Sequence, residues 1–380
     1  MLITKEKLPA ILFFVVSEIM YSFELTYLKL PNSIYTPLLL FTFILSIFSI
    51  LLSEWTLGKI VRTLLLLIIA VCVYISSTET LFVTLILSAI VMNNISYKDA
   101  SKVMFYTRLV MTSLIVFLSL VGVIPLNKLN VSKGVFGSAT GYGLGYIHPN
   151  NLAQALFVLC CLYLCMNFDK LKSKNLWCIL IVDLITFEIT KSKTACSILL
   201  IIVILIFLRD NKLVVNIIKK FSGVYVLTVG GLAVLIPMLY TYSTGTIQRL
   251  MYILNGYFNG RFINASNMFL SFPITWFGKI INLDYLQRIY GYNVVDNGYV
   301  FLLFDYGIIG FLLIAFLYLY AISKLTRKDF FIFVLVIVGF LSLALMENVI
   351  RAMFMNFTMI FWYEFIDHKK YVKEKAIEVK

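Results

Sequence analysis

"GYVFLLFDYGIIGFLLIAFLYL", residues 298–319, is an apolar run interrupted by a single carboxylate, Asp305. A hydrocarbon core of roughly 30 Å takes about 17–25 helical residues to cross, so this run predicts a membrane-spanning helix over 299–322. Runs of the same kind recur along nearly the whole chain. They are continuous and lack the alternating ten-residue pattern of membrane strands, which favours helices over a barrel. Of the 380 residues 61% are hydrophobic and only 13% charged, with a mean hydropathy of +0.95. A soluble domain needs far more polar surface than this. The expected fold class is all-α: a polytopic transmembrane helical bundle, with residues 1–380 forming a single integral membrane domain.

About twelve spans are expected, at 9–28, 34–53, 60–77, 79–94, 103–126, 149–167, 175–190, 194–208, 223–243, 299–322, 330–346 and 350–366. With the N-terminus inside, Lys59, Arg62, Lys98, Lys102, Lys170, Lys172, Lys174, Arg209, Lys212, Lys219, Lys220, Lys324, Arg327 and Lys328 all fall in inner loops. That is the positive-inside pattern, and it places both termini in the cytoplasm. The net charge of +13 is therefore an orientation signal, with some attraction to anionic membrane lipids through the tail 367–380, and not a nucleic-acid footprint. "MLITKEKLPAILFFVVSEIM" carries Glu18 and lacks a small-residue cleavage site, so it reads as a retained first helix. The six cysteines lie in or beside apolar runs without CxxC or His partners, as small buried side chains do.

Two outer segments are longer than simple connections: 127–148, and the large extracytoplasmic loop 244–298. Loops of that length are commonly functional. Charges on the outer side are few, and intramembrane or interfacial charges of this kind point to function. Lys128 and Lys133 lie in the first segment, and Lys191 and Lys193 in a tight turn. Arg249, Arg261, Lys279, Asp284, Arg288 and Asp296 lie in the large loop, and Glu347 and Arg351 at the last turn. Arginine presents a planar fork of donors suited to phosphate oxygens, yet Arg249 and Arg261 could equally anchor an interfacial segment. Lys193 reads either as a mere loop cation, against the charge rule, or as a residue with a paired or ligand-binding role. Asp296–Asn297 read as a helix cap with room for a second role. Asp305, Asp183 and Glu188 suit helix pairing. In "GYGLGYIHPNNLA" (141–153) Pro149 fits a first helical turn. His148, Asn150 and Asn151 then stand at a helix N-terminus, where unpaired N–H groups suit an anion. Loop and cap explain that segment as well. No Walker loop, HExxH, GxSxG or metal-type carboxylate pair is present, so no metal site or cofactor is expected.

Several stretches resemble, in order, the bacterial Wzy-type polysaccharide polymerases of the O-antigen ligase-related superfamily. "GYIHPNNLAQAL" is similar to the Gly-x-x-His-Pro-Asn-x-x-Ala segment of capsular repeat-unit polymerases. "TKSKTACSILLII" resembles the family's Ser-Arg-Ser/Thr turn, with Lys193 where arginine is usual. "LNGYFNGRF" and "FPITWFGKI" resemble the Gly-Arg and Phe-Gly elements of the large outer loop. "VDNGYVFLLFDYGIIGFLL" is similar to the Asp/His-Asn-x-Tyr segment leading to Gly-x-x-Gly, and "MENVIRAMFMNFTMIFW" to the terminal Glu and Asn-Phe pattern. Together they span residues 141–362.

The resemblance implies a multi-pass glycosyltransferase of the bacterial cytoplasmic membrane. It would join polyprenyl-diphosphate-linked oligosaccharide repeat units at the outer face, with flippase and chain-length regulator proteins as partners. The Gly-Arg element falls on Arg261 and the Ser-Arg turn on Lys193; Arg249 is a neighbouring candidate. Arg261, Arg249 and Lys193 would hold the diphosphate, with Asn150, Asn151 and Asn297 as further substrate contacts. Developing charge on a diphosphate leaving group calls for such cationic donors. His148, Asp296 and Glu347 are candidates for the base at the acceptor hydroxyl, in a transfer expected to need no metal. Ligase-like transfer of finished polymer, and a lipid-linked oligosaccharide flippase, are the alternatives. Asp296 stands where the ligases usually have histidine.

Overall fold

The computed structural model describes residues 4–132, 137–258, 260–292, 294–351 and 355–367. Lys133 and the basic tail 368–380 lie outside the described residues. The elements, in chain order, begin with α1 (Leu8–Ser22), α2 (Asn32–Leu51), α3 (Leu57–Ser77), α4 (Thr80–Val91) and α5 (Tyr97–Leu120). A hairpin follows, β1 (Lys128–Ser132) paired antiparallel with β2 (Ser138–Tyr142). Then come α6 (Pro149–Met166), α7 (Ser173–Thr190), α8 (Lys193–Phe207) and α9 (Lys212–Tyr242). The segment expected as a large loop folds as α10 (Gly245–Tyr257), α11 (Arg261–Ser271) and α12 (Leu283–Tyr290). The chain closes with α13 (Gly298–Asp305), α14 (Gly307–Arg327), α15 (Phe331–Ala344), a 3-10 turn (Phe357–Trp362) and α16 (Tyr363–Ile366).

The fold is helical, and among the described residues six helices are long and apolar enough to cross a membrane: α2, α3, α5, α6, α9 and α14. The other apolar helices, α1, Thr80–Asn94, α8, α15 and Phe357–Ile366, are shorter. Polar side chains start many of these elements. Thr56 caps α3, Ser96 caps α5 and Asn211 caps α9, each side chain accepting a backbone N–H of the first turn. Such caps satisfy donors that the helix itself leaves open. Most of the apolar surface of α6 is buried within the bundle, where it packs against α5, α7 and α8. Its first residues therefore sit at one end of the molecule's interior.

Two expected spans take other forms. The run 299–322 is not one helix: it breaks between α13 and α14 at Gly307, with φ +71°. The cause is a strand of chain from the large loop. Lys279 N donates to Phe304 O at 3.2 Å, and Ile308 N and Ile309 N donate to Thr275 O and Trp276 O, each at 3.0 Å. The loop thus satisfies the backbone groups that the break exposes. Any Cβ on Gly307 would run into Gly278 N, and one on Gly278 into Asp305 O. Gly278→Ala is accordingly expected to lower the melting temperature in detergent sharply, because backbone cannot retreat as a side chain can. A melting curve unchanged from wild type would refute this close approach.

The run 350–366 is likewise not a continuous α-helix. Asn356 Nδ2 donates to Ile350 O at 2.7 Å and Tyr318 OH donates to Asn356 Oδ1 at 2.7 Å, pinning a turn before the 3-10 segment. Phe357, Met359, Ile360, Phe361 and Trp362 are all fully buried against α4 and α14. Hydropathy alone does not tell burial in protein from burial in lipid.

The glycine-rich stretch 141–146 closes the hairpin onto α5. Gly145, at φ +90°, leaves a Cβ no room against Ile115 and Ile124. The next side chain, Tyr146, is fully buried with its hydroxyl 3.2 Å from Thr112 Oγ1. Ile147 N donates to Leu25 O at 2.9 Å, fastening the stretch to the chain beyond α1. These contacts fix where His148 stands.

Within 244–298, α11 and α12 make a small second core with α13. Ala265, Met268, Leu286, Val295, Val300, Phe301 and Phe304 are buried together. α11 also packs along α9. The segment is a folded layer over the end of the bundle.

A candidate charged site at the end of α6

Arg261 opens α11. Gly260 precedes it at φ +79°, and Asn255 Oδ1 accepts from Phe262 N and Ile263 N, both at 3.1 Å, so the turn is held from α10. Its Nη2 donates to Glu347 Oε1 at 2.8 Å, and its Nε lies 3.4 Å from Asp296 Oδ2. The side chains of Arg261 and Glu347 keep 15% and 7% of their exposure, so this pair is largely desolvated.

Glu347 is also held from α6. Asn150 Nδ2 donates to its Oε1 at 3.2 Å and Gln154 Nε2 to its Oε2 at 2.9 Å. Residues 150 and 154 are one helical turn apart and share a face. The carboxylate thus accepts from three side chains on two elements distant in sequence. Burial raises the Glu347 carboxyl above the usual carboxylate range, and the charge and hydrogen bond of Arg261 oppose that rise. For Arg261, burial works against the charge, but Glu347 and Asp296 outweigh it and hold the guanidinium above its ordinary value.

Four of the residues singled out from sequence therefore meet: Asn150, Arg261, Asp296 and Glu347. Gln154 joins them and was not anticipated, although its spacing of four from Asn150 is a readable signal. His148 is the N-cap of α6, its Nδ1 accepting from Asn150 N at 3.1 Å. In a neutral imidazole that leaves Nε2 as the N–H group, so in this arrangement His148 offers a hydrogen bond through Nε2 while its Nδ1 lone pair is engaged. The expected outcome is specific. His148→Ala costs about 1 kcal/mol of stability through the lost cap, and His148→Asn restores it because asparagine caps as well. Matching melting curves for the alanine variant and wild type would remove the cap's importance.

The remaining candidates stand apart from this cluster. Asn297 caps α13, accepting from Tyr299 N and Val300 N, and its amide donates to Ala233 O on α9 at 2.7 Å. Both ends of that side chain hold the fold. Asn151 contributes its backbone N–H to His148 O at 2.9 Å. Arg249 lies on α10, where no residue is buried. Lys193 is exposed at the first turn of α8. Its turn approaches the start of α6 through Gly141, which lies against Thr190 O and Pro149.

Chemically, the cluster offers a guanidinium with donor capacity beyond its two carboxylates, and a buried carboxylate poised to exchange a proton. The fold and this site define a helical membrane protein with an ionic centre at one end of its bundle. Compared with protein-family models, curated proteins and solved structures, the chain matches none of them.

Proposed function

We propose that this protein is a membrane glycosyltransferase that polymerises lipid-diphosphate-linked oligosaccharide repeat units at the outer face of the bacterial cytoplasmic membrane. The observation that carries the reading is convergence. Asn150, Arg261, Asp296 and Glu347 come from four of the stretches that carry the family resemblance, and they meet within hydrogen-bond or ion-pair distance.

In this reading the fork of Arg261 takes the diphosphate oxygens as negative charge develops on the leaving group. Glu347 or Asp296 accepts the proton of the acceptor hydroxyl. Lys193 and Arg249 supply outer cations that attract the anionic donor. An apolar groove of ≈ 420 Å³ supports the assignment of an amphiphilic donor: it is lined by Gly230, Val234, Tyr299, Leu302 and Ile350 among others. It borders the site, since Asn297 links α13 to α9 at Ala233 and Gly298 packs on Glu347 O. Transfer proceeds without a metal, with about twelve membrane crossings, both termini cytoplasmic, and flippase and chain-length regulator proteins as partners.

The test is reconstitution of the purified protein in lipid with a defined polyprenyl-diphosphate-linked repeat unit. The expected product is a ladder of linked repeats with release of polyprenyl diphosphate, unchanged by EDTA. Movement of the donor across the bilayer without any joining of repeats would replace this reading with a flippase.

A further inference from the structure

A second charged cluster stands beside the first, on the same 345–351 segment, with different chemistry. Arg351 lies with its guanidinium carbon 4.5 Å from the centre of the Phe301 ring. Its Nη1 is 3.8 Å from Asp305 Oδ2 and its Nη2 3.9 Å from Glu79 Oε2. These separations are too long for hydrogen bonds. Asp305 Oδ2 is buried and accepts no hydrogen bond from the described residues. By contrast, Arg108 meets Glu18 at 2.8 Å and Lys328 meets Glu364 at 2.7 Å, both within hydrogen-bond distance. Buried polar atoms are normally satisfied, so an open donor–acceptor set marks a place where another molecule completes the bonding.

Near this set lies a cavity of ≈ 250 Å³ lined by Glu24, Tyr35, Lys29 and Phe23 among others. Tyr35 OH donates to Glu24 Oε1 at 3.5 Å, a long bond, and Glu24 lies within the electrostatic reach of both Arg351 and Glu79. Charge decides the class of ligand. Glu24, Glu79 and Asp305 face Arg351 and Lys29, so no excess of positive charge is left to hold a phosphate. A neutral polyol needs none: its hydroxyls donate to carboxylates and accept from guanidinium and phenol, and its C–H faces suit tyrosine and phenylalanine rings.

We propose that Glu24, Tyr35, Glu79, Asp305 and Arg351 form a saccharide subsite that seats the hydroxyl groups of the acceptor sugar, beside the diphosphate site at Arg261. This assignment rests on the glycosyltransferase reading for the word acceptor, but not for sugar binding itself.

Two probes test it on the full-length protein in lipid nanodiscs: oligosaccharides from partial hydrolysis of the host's surface polysaccharide, and polyprenyl diphosphate without sugar. Wild type binds both. Glu79→Gln and Tyr35→Phe weaken oligosaccharide binding by about tenfold or more, as loss of hydrogen bonds to charged groups does, and leave polyprenyl diphosphate binding unchanged. Arg261→Ala does the reverse. Because neither Glu79 nor Tyr35 makes a buried ion pair at close range, both variants are expected to melt near wild type. Unchanged oligosaccharide affinity in both variants overturns the subsite, as does the absence of oligosaccharide binding by wild type. Oligosaccharide binding that responds to the variants in a protein that never joins repeats keeps the subsite and overturns the polymerase reading.

Discussion

On the proposed glycosyltransferase reading, Arg261→Ala is expected to lower the rate of repeat-unit joining by about 10²–10³-fold, the loss typical when one preorganised donor to a developing oxyanion is removed. The same change also strands Glu347, which is buried. Removing one partner of a buried ion pair costs about 3–5 kcal/mol, so the variant melts well below wild type and a loss of rate alone is ambiguous. The double variant Arg261→Ala/Glu347→Gln, set beside Glu347→Gln alone, separates the two effects. Glutamine is neutral and isosteric, so stability recovers, and Glu347→Gln alone gives the rate lost with the proposed base. A double variant much slower than Glu347→Gln assigns the further loss to the guanidinium, whereas equal rates would mean that Arg261 serves only to neutralise Glu347. The pH profile gives a second readout. The proposed base acts when deprotonated, so activity falls as pH drops through the raised Glu347 pKa. Since Arg261 opposes that rise, residual activity in Arg261→Ala is lost at higher pH than in wild type. An acid limb that does not move assigns the base elsewhere, with Asp296 the next candidate.

The residues brought together by the fold were visible in sequence for one reason: each is polar at the edge of an apolar run, where polarity is costly and so informative. Asn150 and Asp296 were marked by helix starts, Arg261 and Glu347 by their placement on the outer side. Their partnership was not legible, because 86 positions separate Arg261 from Glu347 and nothing local encodes that distance. Lys193 and Arg249 gave the same kind of signal, yet they are exposed on separate helices. The broken helix at Gly307 escaped hydropathy because its cause, the backbone of residues 275–279, is a contact between segments. Gly278 and Gly307 only acquire meaning once those backbones touch. The same blindness hid Glu18 and Arg108. Each sits in an apolar helix, and only the pairing across 90 positions explains why either is tolerated there.

Arg108→Leu is therefore expected to be the most damaging substitution for folding. Arg108 and Glu18 are joined by hydrogen bonds of 3.0, 3.1 and 2.8 Å, and their side chains have no exposure at all. With the arginine gone, Glu18 keeps a charge or a proton in a place with neither water nor counter-ion. The cost is about 3–5 kcal/mol, a large fraction of the stability of an ordinary domain. The expected result is loss of the monodisperse peak in size-exclusion chromatography and a strongly lowered melting temperature in detergent. Replacing both partners, as Glu18→Leu/Arg108→Met, removes both desolvation penalties at similar volume and restores the fold. The double variant also asks whether the pair does more than hold α1 to α5. Thr112 lies one turn beyond Arg108 on the same face of α5, and its hydroxyl meets Tyr146, two residues before His148. An apolar pair that repacks without shifting α5 leaves that contact, and the start of α6 behind it, in place. Restored melting with undiminished repeat-unit joining is thus the expected outcome. Restored melting with impaired joining would mean that the charge pair sets the position of α5, and through Tyr146 the position of Asn150 against Glu347.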